Sequence, residues 1–463
     1  ESRFGVLREG VGGSIRITAP VIDIGPDSYI GSVAQFAPGT GGNIEIIATE
    51  SLSISSDGGN LGTVINSEGA FSATPGNILL SAPNIFISGA DILSDTSFSE
   101  ASAGSITLLA GNSIVLDDRT RLAAISYYGG RGGDVRLQAP NVTMQNFAEI
   151  QTDTYGFAEN AGSVFVDATD FTMTSGAQIS ASSCFCAYGG AGSIFVNVEN
   201  LSIIGTGDLE SPTGIRSVAL GSGDSGNIEI NADTVYLSNF ATILAYSLTT
   251  VQDFIDIEEP DRLPGDAGSI SINANELFAS SSFIETTAVE SAGGNLELNI
   301  SDMLHATNSY IGAEANGVST DSNGGNVFLS QPQFVILDHS EIAASANAGN
   351  GGNILVNTDA IIVSPFSSMD ASSQLGLDGE VVVESPNRLI ASVTPLEAPV
   401  MDITEFDEDP CEVAVDRDRS SFTVPQSDGV IATPADYQAS PLISMTEAQK
   451  ETIEELACVS PAQ

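Results

Sequence analysis

A short pattern of apolar and polar positions recurs from Gly13 to Gly379: glycine, a small polar residue, then apolar–any–apolar. It first reads Gly13-Ser14-Ile15-Arg16-Ile17, then Gly42-Asn43-Ile44-Glu45-Ile46 and Gly76-Asn77-Ile78-Leu79-Leu80. Its glycine returns at 104, 133, 162, 192, 226, 268, 294, 325, 352 and 379, making thirteen copies. Their spacing is 26 to 34 residues except for one interval of 42. Alternation with period two marks a half-buried strand. Repetition at a near-constant period of this length marks a solenoid.

Each period holds two further alternating segments. One follows about nine residues on, as in Val21-Ile22-Asp23-Ile24, Leu52-Ser53-Ile54, Ile85-Phe86-Ile87 and Phe171-Thr172-Met173. The other is built on a central isoleucine, as in Glu149-Ile150-Gln151, Gln178-Ile179-Ser180 and Glu341-Ile342-Ala343. Glycines and the pairs Ala19-Pro20, Ala82-Pro83 and Ala139-Pro140 punctuate these segments as corners. Three short strands per period make one triangular coil. The expected fold is therefore all-β, a right-handed parallel β-helix of about thirteen coils over residues 1–391. Stacked at strand spacing, thirteen coils extend roughly 60 Å. The residue after the motif glycine is Asn in six copies and Ser in five, with Asp134 and Glu380 as the exceptions. Stacking aligns these residues into a polar ladder at one corner, a common way to satisfy turn backbone; a row of ligand-binding groups is the alternative.

Charge narrows the function. Lys and Arg total 13 against 60 Asp and Glu, a net charge of −47. Phosphate recognition needs clustered basic groups, so nucleic acid is excluded as a partner. No apolar run is long enough for a membrane-spanning helix. The first residues read like a repeat already under way, which leads us to expect a longer precursor.

Candidate chemistry is sparse. Asn357-Thr358-Asp359 spells a tripeptide found in β-helical hydrolases, but it falls in ordinary repeat register beside the similar Asn231-Ala232-Asp233. The two histidines, His305 and His339, lie about one coil apart, near enough to stack, yet lack a third metal ligand. Gly221 to Gly226 is a lone approximation to a calcium-binding repeat. No catalytic site is expected. The 42-residue interval contains an acidic insertion with Asp253, Phe254, Asp256, Glu258, Glu259 and Asp261. Loops that depart from a regular scaffold are its natural contact surfaces. Its five acids either form a solvated loop or collect a calcium ion through oxygen ligands. Cys184, Cys186, Cys411 and Cys458 suggest two disulfides in a secreted chain, with the connectivity open. From 392 to 463 the period vanishes, Pro and acids rise, and Ser444-Met445-Thr446-Glu447 is a capping box opening a short helix.

Two stretches carry a family resemblance. Residues 370–381, Asp370-Ala371-Ser372-Ser373-Gln374-Leu375-Gly376-Leu377-Asp378-Gly379-Glu380-Val381, close the array, and Cys411 is followed by Arg419-Ser420-Ser421-Phe422-Thr423-Val424. With the repeats, they resemble the C-terminal region of filamentous-haemagglutinin-type exoproteins exported by two-partner secretion. Pro425-Gln426-Ser427-Asp428-Gly429 stands where that family usually has a Gly-Arg-Gly-Gly-Leu-Pro-Pro type run, and its Asn-Pro-Asn-Gly secretion motif has no match in these residues. The resemblance implies an extracellular or outer-surface location on a Gram-negative-type bacterium and an outer-membrane secretion transporter as partner of the precursor. The expected function is an adhesion rod that presents loops to a surface receptor. A polysaccharide-binding module is the second reading and a β-helical polysaccharide-cleaving enzyme the third.

Overall fold

The computed structural model describes residues 10–34, 39–57, 62–71, 73–98, 100–156, 159–184, 187–208, 211–248 and 264–390. These belong to one compact unit, Glu1–Ser392. The acidic insertion at 250–261, Cys186, Cys411, Cys458 and the tail with its expected helix lie outside the described residues.

Every strand pairing among the described residues is parallel, and each joins equivalent segments of successive periods. Ile106 pairs with Ile78 on one side and Val135 on the other, and that row runs on through Val164, Ile194 and Ile228. A parallel β-solenoid results. Its third face is a 12-stranded sheet running from Tyr29–Ala34 to Ser368–Asp370. The described residues thus stack in about 12 turns, and the thirteenth motif glycine opens a turn described only through its second strand, Asn387–Ile390. In several coils the first two strands run on as one, as in Ile44–Ser55, with a register shift at the corner.

Inward residues form one continuous apolar core. Ile46, Ile54, Ile65, Leu80 and Ile92 are fully buried, and Phe171 is the largest side chain buried to that degree. Each such side chain contributes about 1.5–3 kcal/mol of transfer free energy, but only because the coil above and the coil below cover it.

The motif glycine is explained by this stacking. A Cβ on any later copy, from Gly42 to Gly379, would lie well inside 3.0 Å of the carbonyl of the preceding copy. Its amide closes the coil onto the third strand. Gly162 N–H donates to the Thr152 carbonyl at 2.9 Å and Gly192 N–H to the Ala181 carbonyl at 2.8 Å. Where that strand carries serine, the hydroxyl substitutes: Gly42, Gly76 and Gly226 donate to the Oγ of Ser32, Ser67 and Ser217.

The residue after the glycine forms the expected polar ladder. Asn295 Oδ1 accepts from the Asn326 N–H, Asn326 Oδ1 from the Asn353 N–H, and Asn353 Oδ1 from the Glu380 N–H, each at 3.0 Å. These side chains are spent on turn backbone, which favours a structural role over a ligand row. At the corner before the third strand the chain takes left-handed dihedrals at paired residues, Asn146 and Phe147 (φ 52° and 63°) and Asn239 and Phe240 (φ 58° and 66°). Asn tolerates that region best of the non-glycine residues.

Candidate functional site

Aromatic and polar side chains of successive coils are aligned at one corner, where the third strand turns back toward the first. Ser126, Thr154 and Ser183 continue the third-sheet ladder as isolated parallel bridges. The residues after them are held in line: Tyr155 N–H donates to the Ser126 carbonyl and Cys184 N–H to the Thr154 carbonyl, both at 2.8 Å. Tyr127, Tyr155 and Cys184 therefore leave the same point of successive coils. The Tyr127 and Tyr155 rings stack with centroids 5.4 Å apart and planes 15° from parallel. Both remain about 40% exposed, at 42% and 38%.

Beneath the rings runs an outward row of the third sheet that includes Asp95, Ile125 and Asp153, all buried. Burial pushes the Asp95 carboxyl up to about 7, even though it accepts the Ile125 N–H at 3.1 Å and faces Arg121. Asp153 is likewise raised by burial, against the pull of the Ser182 N–H at 2.7 Å, the Ser180 hydroxyl at 2.9 Å and Arg216. Burial and the neighbouring Asp153 push the Tyr155 phenol up to about 12. Arg121 is paired with Asp91 at 3.2 Å and Arg216 with Glu149 at 3.8 Å. A groove of about 340 Å³ opens here, lined among others by Asp153, Tyr155, Ser182, Arg216, Val218 and Leu220. Cys184 also lines it and accepts the Gly156 N–H on Sγ at 3.2 Å.

The groove lining combines apolar and hydrogen-bonding groups. A half-exposed aromatic stack and small aliphatic side chains supply apolar contact, and carboxyl, hydroxyl and guanidinium groups within the groove supply hydrogen bonds in both directions. The signal for this site lies in the sequence as Tyr127-Tyr128-Gly129-Gly130, Thr154-Tyr155-Gly156 and Ala187-Tyr188-Gly189-Gly190, which hold four of the nine tyrosines.

Farther along the same sheet, three neighbouring glutamates on different rows face one another without an arginine among the groups that shift them. Burial and Glu314 push Glu285 up to about 7. Burial, with Glu314 and Asp370, also raises Glu341, and the Ser345 hydroxyl donates to Glu314. Asp95 and Glu285 thus have folded-state pKa values near 7 against about 4 when unfolded. The folded state holds these protons where the unfolded state has lost them, so stability falls as pH rises from about 4 to about 7. The thermal midpoint is expected to be higher at pH 6 than at pH 8, and the double variant Asp95→Asn/Glu285→Gln should flatten that slope. A midpoint that rises with pH across this range contradicts the burial of these carboxyls.

Residues singled out by motif have structural partners. Thr358 Oγ1 donates to the Pro332 carbonyl at 2.8 Å, fixing the Asn357-Thr358-Asp359 turn. Asp224 of the glycine-rich segment accepts the Asp266 N–H at 2.8 Å in a corner ladder. The two histidines do not stack on each other. Register pairs His305 with Ile336, leaving its ring edge-on to Phe278, while His339 sits in the next turn against Phe366 at 4.8 Å. Among the described residues no group of three His, Cys, Asp or Glu is placed to hold a metal ion. Comparison with protein-family models, curated proteins and solved structures finds no match to this chain.

Proposed function

We propose that this chain is an extracellular attachment rod that binds polysaccharide along its tyrosine-bearing corner without cleaving it. The observation that carries this reading is the Tyr127–Tyr155 stack beside the 340 Å³ groove. Sugar rings offer an apolar C–H face and a rim of hydroxyls, and the groove offers partners for both. The parallel solenoid supports a rod, because each coil needs only its neighbours and the array lengthens without changing its core. The resemblance of residues 370–424 to filamentous-haemagglutinin-type exoproteins supports export and a surface location, with an outer-membrane transporter acting on the precursor. A net charge of −47 disfavours polyanionic glycans through repulsion.

The test is a polysaccharide panel with the full chain, read both for binding and for released reducing or unsaturated ends. Retention of a neutral glycan without product is expected, with Tyr155→Ala weakening it about tenfold or more, a loss of about 1.4 kcal/mol, and Tyr155→Phe close to wild type. Failure to retain any glycan overturns the polysaccharide reading. Release of chain ends overturns the non-cleaving one and makes the chain an enzyme.

A further inference from the structure

A second surface lies in the turn that follows Cys184. Tyr188 is 51% exposed and stands between two open grooves of about 560 Å³ and about 380 Å³. Arg131, Glu159 and Ser163 line the first, and Gly223, Asp224 and Asn227 the second. Both share Asn160, Tyr188, Gly189, Ala191 and Ser193. The grooves therefore draw on four successive coils, with one aromatic ring at their boundary.

Three of the lining residues are glycine for a steric reason. A Cβ on Gly189 would strike the Glu159–Asn160 backbone, one on Gly190 the Asp224 backbone, and one on Gly223 the Gly189–Gly190 backbone. These glycines let the turns of successive coils stack in direct backbone contact. The walls carry oriented polar groups. Asn160 Oδ1 accepts the Gly190 N–H at 2.9 Å, which fixes its amide, and Arg131 is engaged by Asp134 at 3.3 Å. Acidic Glu159 and Asp224 lie on opposite sides, so an anionic ligand meets repulsion at both ends.

The four coils that line the grooves succeed one another along the axis at the strand spacing, about 4.8 Å per coil. That is close to the advance of one sugar in an extended, equatorially linked glycan. We infer that the Tyr188 corner is a subsite for an extended neutral polysaccharide lying along the rod axis, one sugar per coil, with sugars on both sides of the Tyr188 ring. This inference rests on the polysaccharide reading above, and Tyr188 and Tyr155 separate the two experimentally.

The experiment is titration calorimetry of the full chain with β-1,4-linked glucose oligosaccharides of two to six units, and with oligogalacturonates of the same lengths. Affinity for the neutral series is expected to climb with each added sugar until the four coils are spanned and then level, with the acidic series weaker throughout. Tyr188→Ala is expected to lose about tenfold or more on the longest neutral oligomer, and Tyr188→Phe to stay within about twofold. Equal affinity for the shortest and longest neutral oligomers overturns the one-sugar-per-coil register. Wild-type affinity in Tyr188→Ala together with a loss in Tyr155→Ala overturns this subsite and leaves the proposed function standing. No binding of either series to wild type overturns this subsite, whereas the proposed function falls only if the polysaccharide panel also retains nothing.

Discussion

Gly192→Ala is expected to lower stability by about 3 kcal/mol or more, toward the upper end of overpacking costs. The added methyl would lie against the Gly162 carbonyl, with backbone rather than a movable side chain as its obstacle. The Gly192 amide is committed to the Ala181 carbonyl at 2.8 Å and its carbonyl accepts the Ser217 hydroxyl at 2.9 Å. Relief by moving one coil therefore breaks the closure of that coil and a bond to the next. Gly13→Ala is the control, because it occupies the same motif position in the first copy yet has nothing within 4 Å of the new Cβ. Its cost should stay within about 0.5 kcal/mol. Denaturant melts of both variants check this pair. Equal sensitivity at the two sites would mean that local backbone conformation, not stacking, selects the glycine.

Phe171→Ala is expected to cost about 3–5 kcal/mol, measured by the same melts. Phe171 is fully buried and pairs in register with Val142 below and Leu201 above. Removing its ring leaves a void between coils that two flanking strands cannot close without losing their ladder. In a solenoid the damage should be local, since each coil contacts only its neighbours. Hydrogen exchange should quicken in Asn141–Met144 and Asn200–Ile204 and stay unchanged in Phe334–Asp338. Uniform loss of protection along the array would instead show a single cooperative core.

The architecture was legible because stacking imposes the same residue type at the same place in every coil. Ile78, Ile106, Val135 and Val164 repeat in sequence and pair in space. The third strand is only three residues long in Glu149–Gln151 and Gln178–Ser180, so it carried little periodicity of its own and was visible through its central isoleucine. The tyrosine corner was not legible in the same way. Tyr127 and Tyr155 fall between the apolar segments, in turns where alternation has no meaning, and the burial of Asp95 and Asp153 depends on residues roughly one coil away, about 30 positions along the chain. The longest interval drew attention to the insertion with Phe254 and its five acids, because length is what a single-period comparison detects. Contacts between neighbouring coils, which build the groove at Arg216 and the two grooves at Tyr188, do not show in any one period.

A crystal structure of the full chain soaked with a neutral β-linked hexasaccharide tests the central claim most directly. The account predicts an intact sugar chain at the corner marked by Tyr155 and Tyr188, running along the coil axis. Sugar bound on another face, or a cleaved chain at this one, contradicts it.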